Sequence, residues 1–200
     1  MTGREISYKI RMRFALSFLL MRMLAAAAVA PPMPDIGYPL ADIKPRELRS
    51  QFKDKRRGHI HHAIDLMRHR GTPVLAVTDG TIRKLYRSRS GGISIYLFDG
   101  SEEYCFFYGH LDHYAKGLHE GQEVHRGELI GYVGYTGNAK RNAPHLHFAV
   151  SLTGPRRQWS GGVPIDPFPM LLSVTQPPTP PAAESHPVVV ADEPELPEHP

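Results

Sequence analysis

Ile93-Ser94-Ile95-Tyr96-Leu97-Phe98 is followed by Asp99-Gly100 and then by Tyr104-Cys105-Phe106-Phe107-Tyr108. Two short runs of β-branched and aromatic residues with a turn signal between them mark a pair of strands. The pattern repeats outward from this pair. Val74-Leu75-Ala76-Val77 precedes it, and Leu129-Ile130-Gly131-Tyr132-Val133 and Leu146-His147-Phe148-Ala149-Val150 follow. Sixteen glycines lie between Gly58 and Gly162, which punctuates the chain too often for long helices. The predicted class is all-β. Two candidate helical pieces flank it: Pro45-Arg46-Glu47-Leu48-Arg49-Ser50-Gln51-Phe52 before the strands, and a short turn near Tyr114-Ala115-Lys116-Gly117-Leu118.

The chain has 200 residues, 41% of them hydrophobic, enough for one sizeable core with an appendage. Its formal charge of +4 is uneven: residues 1–57 carry +7, residues 58–170 carry +2 and residues 171–200 carry −5. The segment that holds the strands is nearly neutral, so no basic groove for nucleic acid is expected. The single cysteine, Cys105, excludes an intrachain disulfide framework and a Cys-rich zinc or iron–sulfur module. A metal here must be held by nitrogen and oxygen. Histidine is the outlier, with ten of the twelve falling between His59 and His147.

Residues 1–30 combine Arg4, Lys9, Arg11 and Arg13 with an apolar stretch from Phe14 to Leu20 and an alanine run ending Ala28-Val29-Ala30. That order reads as a signal peptide or a membrane anchor and predicts export to the periplasm or cell envelope. Arg22 interrupts the stretch and leaves it short of the roughly 20 residues that span a bilayer, so spanning is the weaker reading. Residues 31–57 read as a linker with the short helix, residues 58–172 as the domain, and residues 173–200 as a tail. From residue 177 the tail holds eight prolines, five acids and no basic residue, a composition that buries too little apolar surface to order itself. It reads as a spacer or a segment that contacts a protein partner.

Three segments carry the chemistry. In a strand, side chains alternate faces. His61, Ala63 and Asp65 therefore share one face, with His62, Ile64 and Leu66 on the other. By the same parity His59 joins His61, so spacing alone does not choose between them. In Pro144-His145-Leu146-His147-Phe148, His145 and His147 face one side above an apolar underside. Two adjacent imidazoles are hard to explain as packing, because each ring must satisfy two nitrogens. His110, in Tyr108-Gly109-His110-Leu111, gains weight from the other two segments. Together they offer two histidines and a carboxylate as ligands and two further histidines for proton handling. That is the donor set of a catalytic zinc site, which keeps one position open, and it suits hydrolysis of an unactivated amide. Manganese or cobalt could substitute in vitro. His62, His69, His113, His119 and His125 read as solvated surface, Arg56 and Arg57 as wet or groove-lining charge, and Cys105 as a small core residue.

From about Leu40 to Leu172 the chain resembles the lysostaphin/LytM-type zinc metallopeptidases that cut peptidoglycan cross-bridges. The residues that carry the likeness are His61 and Asp65 in His-x-x-x-Asp, then Gly71-Thr72-Pro73-Val74 with Ala76 and Asp79-Gly80, then Tyr108-Gly109-His110-Leu111. It continues through Gly121-Gln122-Glu123-Val124-His125-Arg126-Gly127, Ile130-Gly131, Gly134-Tyr135-Thr136-Gly137-Asn138 and Pro144-His145-Leu146-His147-Phe148. The resemblance implies an antiparallel β-sheet sandwich with its site in a groove along one sheet. It implies one zinc ion on His61, Asp65 and His147. His110 and His145 become the unligated catalytic pair, one acting as general base and both stabilising the tetrahedral intermediate. The substrate implied is the stem peptides and cross-bridges of peptidoglycan. Ala63 stands where many relatives have glycine. The alternative within the family is a non-catalytic peptidoglycan-binding or amidase-activating protein, but such members lose ligands and all five positions are present here. Gly121-x-x-Val124-x-x-Gly127-x-x-Ile130-Gly131 also resembles lipoyl or biotinyl carrier strands, without a lysine at a hairpin tip to modify.

Overall fold

A computed structural model describes residues 31–56 and 58–175. The expected leader at residues 1–30, Arg57, and the Pro-rich tail from residue 176 lie outside the described residues. The fold belongs to the unit that begins at Pro34. Among the described residues no helix is long and apolar enough to cross a membrane.

The fold is all-β and antiparallel. Its strands are β1 (Lys55–Arg56), β2 (His59–Ile60), β3 (Ile64–Met67), β4 (Pro73–Leu75), β5 (Gly80–Ser88), β6 (Gly92–Asp99), β7 (Tyr104–Tyr114), β8 (Glu123–Val124), β9 (Leu129–Val133), β10 (His145–Leu152) and β11 (Val163–Ile165). Among the described residues one α-helix, α1 (Pro167–Leu172), follows, with Asp166 as its N-cap accepting from the Phe168 N–H. The main path runs β11-β10-β7-β6-β5-β8, β3 joins it at β10, and β9 joins β7 to β4. β7 links β10 to β9. Its first half, Tyr104–Gly109, pairs with β10, and its end, Leu111–Tyr114, pairs with β9. Tyr108, Phe106, Phe148, Leu97, Leu111 and Ile130 are fully buried, and the Tyr108 hydroxyl accepts from the Val77 N–H inside the core.

β6 is the run Ile93–Phe98 lengthened by one residue at each end, and β7 is the run Tyr104–Tyr108 continued to Tyr114. β5 was not among the expected strands. It reads Gly-Thr-Ile-Arg-Lys-Leu-Tyr-Arg-Ser and buries only Ile82 fully, so it pairs along the whole of β6 without forming an apolar run. The helix expected over residues 45–52 is a correction: only Pro45–Glu47 turns, as a single 3₁₀ turn, and Leu48 is already extended. An isolated helix of that length is marginal in water. Here the backbone of Phe52 and Asp54 instead accepts hydrogen bonds from the N–H groups of His62 and His61 at 3.0 and 2.9 Å. The lead-in is packed as well. Ile36, Tyr38, Leu40, Ile43 and Leu48 are buried in the same core as the strands.

Candidate metal centre

His61, Asp65 and His147 meet because β3 and β10 are in register. His147 stands opposite Asp65 on one side and opposite Gly109 on the other. Along β10, His145 and His147 lie half-buried on the open face while Leu146, Phe148 and Val150 are buried beneath, as the alternation requires. The first histidine is reached differently. β3 starts only at Ile64, and His62 adopts a left-handed backbone with φ 51°. His61 therefore shares the Asp65 side through a turn and not through one continuous strand. His62 is exposed and its ring lies 5.1 Å from that of Phe52.

Three donor atoms form a triangle. His61 Nε2 is 3.0 Å from Asp65 Oδ1 and 3.2 Å from His147 Nδ1, and His147 Nδ1 is 3.0 Å from Asp65 Oδ1. Donors about 2.0–2.1 Å from a tetrahedral zinc stand roughly 3.3 Å from one another, so the triangle fits such an ion with a small expansion. No other group of three or more such side chains among the described residues is close enough to hold one. The remaining ring nitrogen of His61, Nδ1, lies 3.3 Å from the Gln51 carbonyl, an acceptor that suits the tautomer with Nε2 free to coordinate. Burial pushes the Asp65 carboxyl up, but hydrogen bonds from His147 and His61 outweigh it and hold the group well below the ordinary carboxylate range. Burial lowers His147, which favours the neutral ring that coordination needs.

His110 reaches this face through a defect in β7. Strict alternation would put His110 with Phe106 and Tyr108, on the core side. Between β6 and β7 the register slips after Ile95↔Tyr108, and Ile93 pairs with Leu111. That one extra residue is a β-bulge, which bends the strand and re-aims a side chain. His110 occupies it at φ 61°, and its N–H donates to the Gly91 carbonyl at 2.7 Å. Leu111 then returns to the core. The His110 ring lies 4.8 Å from that of His145 and 5.6 Å from that of His147. Its Nδ1 donates to the Thr136 carbonyl at 2.8 Å, and burial lowers its pKa to about 4. His145 Nδ1 donates to the Ala143 carbonyl at 2.9 Å. Nε2 of each ring is thereby left without a backbone partner, and that of His145 lies 3.8 Å from Asp65 Oδ1.

All five predicted residues line one cleft of about 590 Å³, together with Arg56, His59, Tyr96, Phe107, Asn138 and Lys140. His59 sits in β2, lines the cleft and stays outside the donor triangle. His69, His113, His119 and His125 are exposed. Gln51 was not singled out by sequence. Its carbonyl faces His61 and its side-chain Oε1 accepts from the Asp65 N–H at 2.8 Å. No motif marks it, because its role depends on the turn that carries residues 51–54 past residues 61–62.

A model of Peptidase family M23 matches residues 59–167. The L-Ala--D-Glu endopeptidase of Bacillus subtilis (strain 168) is 35% identical over 117 residues, covering 56% of this chain and 34% of the relative. A lysostaphin of Staphylococcus staphylolyticus is 33% identical over 117 residues, covering 58% of this chain and 23% of the relative. The chain thus spans about a third or less of the length of these curated relatives. Among solved structures, the catalytic domain of lysostaphin from Staphylococcus simulans superposes with a TM-score of 0.51 at 33% identity, covering 58% of this chain and 82% of that one.

Proposed function

The chain belongs to peptidase family M23, and from that premise we propose that it is an exported zinc endopeptidase that hydrolyses the peptide cross-links of bacterial peptidoglycan. The observation that carries this reading is the donor triangle of His61, Asp65 and His147, with sides of 3.0–3.2 Å, set beside two histidines whose Nδ1 protons are already committed to backbone carbonyls. The triangle would hold one zinc ion, which when bound supplies a Lewis acid for the scissile carbonyl and lowers the pKa of water.

The protein's own residues supply the rest. His110 is neutral near pH 7, and its Nε2 can take the proton of the attacking water. The proton that His110 takes passes to the leaving amine, and His145, its ring 4.8 Å away, can donate to the developing oxyanion when its own Nε2 is protonated. Fixing each Nδ1–H on a carbonyl sets the tautomer in advance, so neither ring must reorient during the reaction. Tyr96 and Phe107 form an apolar wall of the cleft and Asn138 and Lys140 add polar groups to its lining, a combination that suits an extended peptide carrying amide and carboxylate groups.

Mass spectrometry of cross-linked muropeptides, incubated with the purified protein with and without a zinc chelator, tests the reading. Chelator-sensitive conversion of dimers to monomers is expected, and the products identify the bond cut. A folded, zinc-loaded protein that converts nothing would instead support a peptidoglycan-binding or amidase-activating role.

A further inference from the structure

The residues matched by the family begin at His59, yet the metal centre extends in front of them. Gln51 meets both early ligands: its carbonyl faces His61 Nδ1 at 3.3 Å and its Oε1 accepts from the Asp65 N–H at 2.8 Å. Arg56 Nη2 donates to Asp65 Oδ2 at 3.0 Å, the carboxylate oxygen that the donor triangle does not use. The same guanidinium nitrogen lies 3.3 Å from His61 Nδ1. It can only donate, and Nδ1 must itself donate to Gln51 when Nε2 coordinates, so Asp65 is the partner that matters in the loaded state. The ladder of β1 and β2, with Lys55↔Ile60 and Arg56↔His59, continues through the bonds from His61 N–H to the Asp54 carbonyl and from His62 N–H to the Phe52 carbonyl. It holds this segment against the ligand-bearing turn.

We propose that Gln51 and Arg56 are positioning residues of the metal centre, forming a clasp that orients His61 and Asp65 before the ion arrives. This rests on the assignment of His61, Asp65 and His147 as ligands. Gln51 sets the ring orientation of His61 and the backbone of Asp65. Arg56 occupies one carboxylate oxygen and leaves Oδ1 as the single coordinating atom. Outer partners of this kind control affinity because a ligand free to rotate must be ordered at the moment of binding.

The test is the zinc dissociation constant of the full chain, measured by competition with a chromophoric chelator, for wild type, Gln51→Met, Gln51→Glu and Arg56→Ala. Melting temperatures of the chelator-treated proteins are measured alongside. Gln51→Met keeps length but removes the side-chain acceptor, and Arg56→Ala removes a partly exposed side chain. Each should weaken zinc binding by about 10- to 100-fold, with the metal-free melting temperature of Arg56→Ala unchanged. Gln51→Glu, which restores an acceptor for the Asp65 N–H, should bind at least as tightly as wild type to within a few-fold. Wild-type affinity in both Gln51→Met and Arg56→Ala overturns the clasp. Failure of wild type itself to bind zinc overturns the ligand assignment instead.

Discussion

His110 and His147 sit in ring contact, yet their nitrogens are committed differently, and substitution should separate them. His147→Ala or Asp65→Ala opens the donor triangle, so both zinc content by atomic absorption and muropeptide cleavage should be lost. His110→Ala, or His110→Asn, which suits the left-handed backbone better, should retain about one zinc per chain while cleavage falls by about 100-fold or more. A zinc-free His110 variant beside a loaded His147 variant would reverse the roles. His110 also makes stability pH-dependent in the metal-free protein. Its folded pKa of about 4 lies below the ordinary 6.5, so between these values the unfolded chain binds more protons and stability falls on acidification. Urea midpoints of chelator-treated wild type should drop from pH 6.5 to pH 4, and those of His110→Asn should drop less. Parity placed His145 with His147 in the sequence because β10 is regular. It could not place His110, whose side depends on a bulge that no residue type announces, nor Gln51, which acts through its backbone carbonyl as much as its side chain.

At the scale of elements, the two bends of β7 depend on close approaches that only glycine permits. A Cβ on Gly134 would stand 2.4 Å from the backbone nitrogen of Asp112, where β7 slips a second time against β9. A Cβ on Gly109 would meet a ring atom of Phe107 at 2.8 Å and the Cβ of His147 at 3.5 Å. Backbone cannot yield as a ring can. Gly134→Ala should therefore lower stability by about 1–3 kcal/mol or more, seen as a lower melting temperature. Gly109→Ala should melt closer to wild type and lose activity through displacement of Phe107 and His147. Equal melting losses for the two would show that the bend at Gly134 has no special rigidity. Strands with apolar runs were legible in the sequence for the same reason that β5 was not: a run records burial on both faces, whereas β5 is mostly half-covered or exposed and is held by pairing to β6. The burial of the lead-in is not legible in the sequence, because its apolar residues, Ile36, Tyr38, Leu40, Ile43 and Leu48, are spread without a period. Each is nonetheless buried.

For the molecule as a whole, zinc should stabilise by mass action. At a free concentration 1,000 times the dissociation constant the gain is about 4 kcal/mol, so a chelator should lower the melting temperature by several degrees and added zinc should restore it. The effect should shrink as pH falls, because imidazole and carboxylate ligands must be deprotonated to coordinate. An unchanged melting temperature would mean that no ion is held in the purified state. His61 and His147 are 86 positions apart, and the chain's one cysteine is buried and unpaired. Its thiol is pushed up to about 12 by burial. An ion fastened to both histidines therefore ties a large ring in the polypeptide, of a span for which a covalent bridge would remove about 4–5 kcal/mol of freedom from the unfolded chain. Such a cross-link would be opened by a chelator and ignored by a reductant.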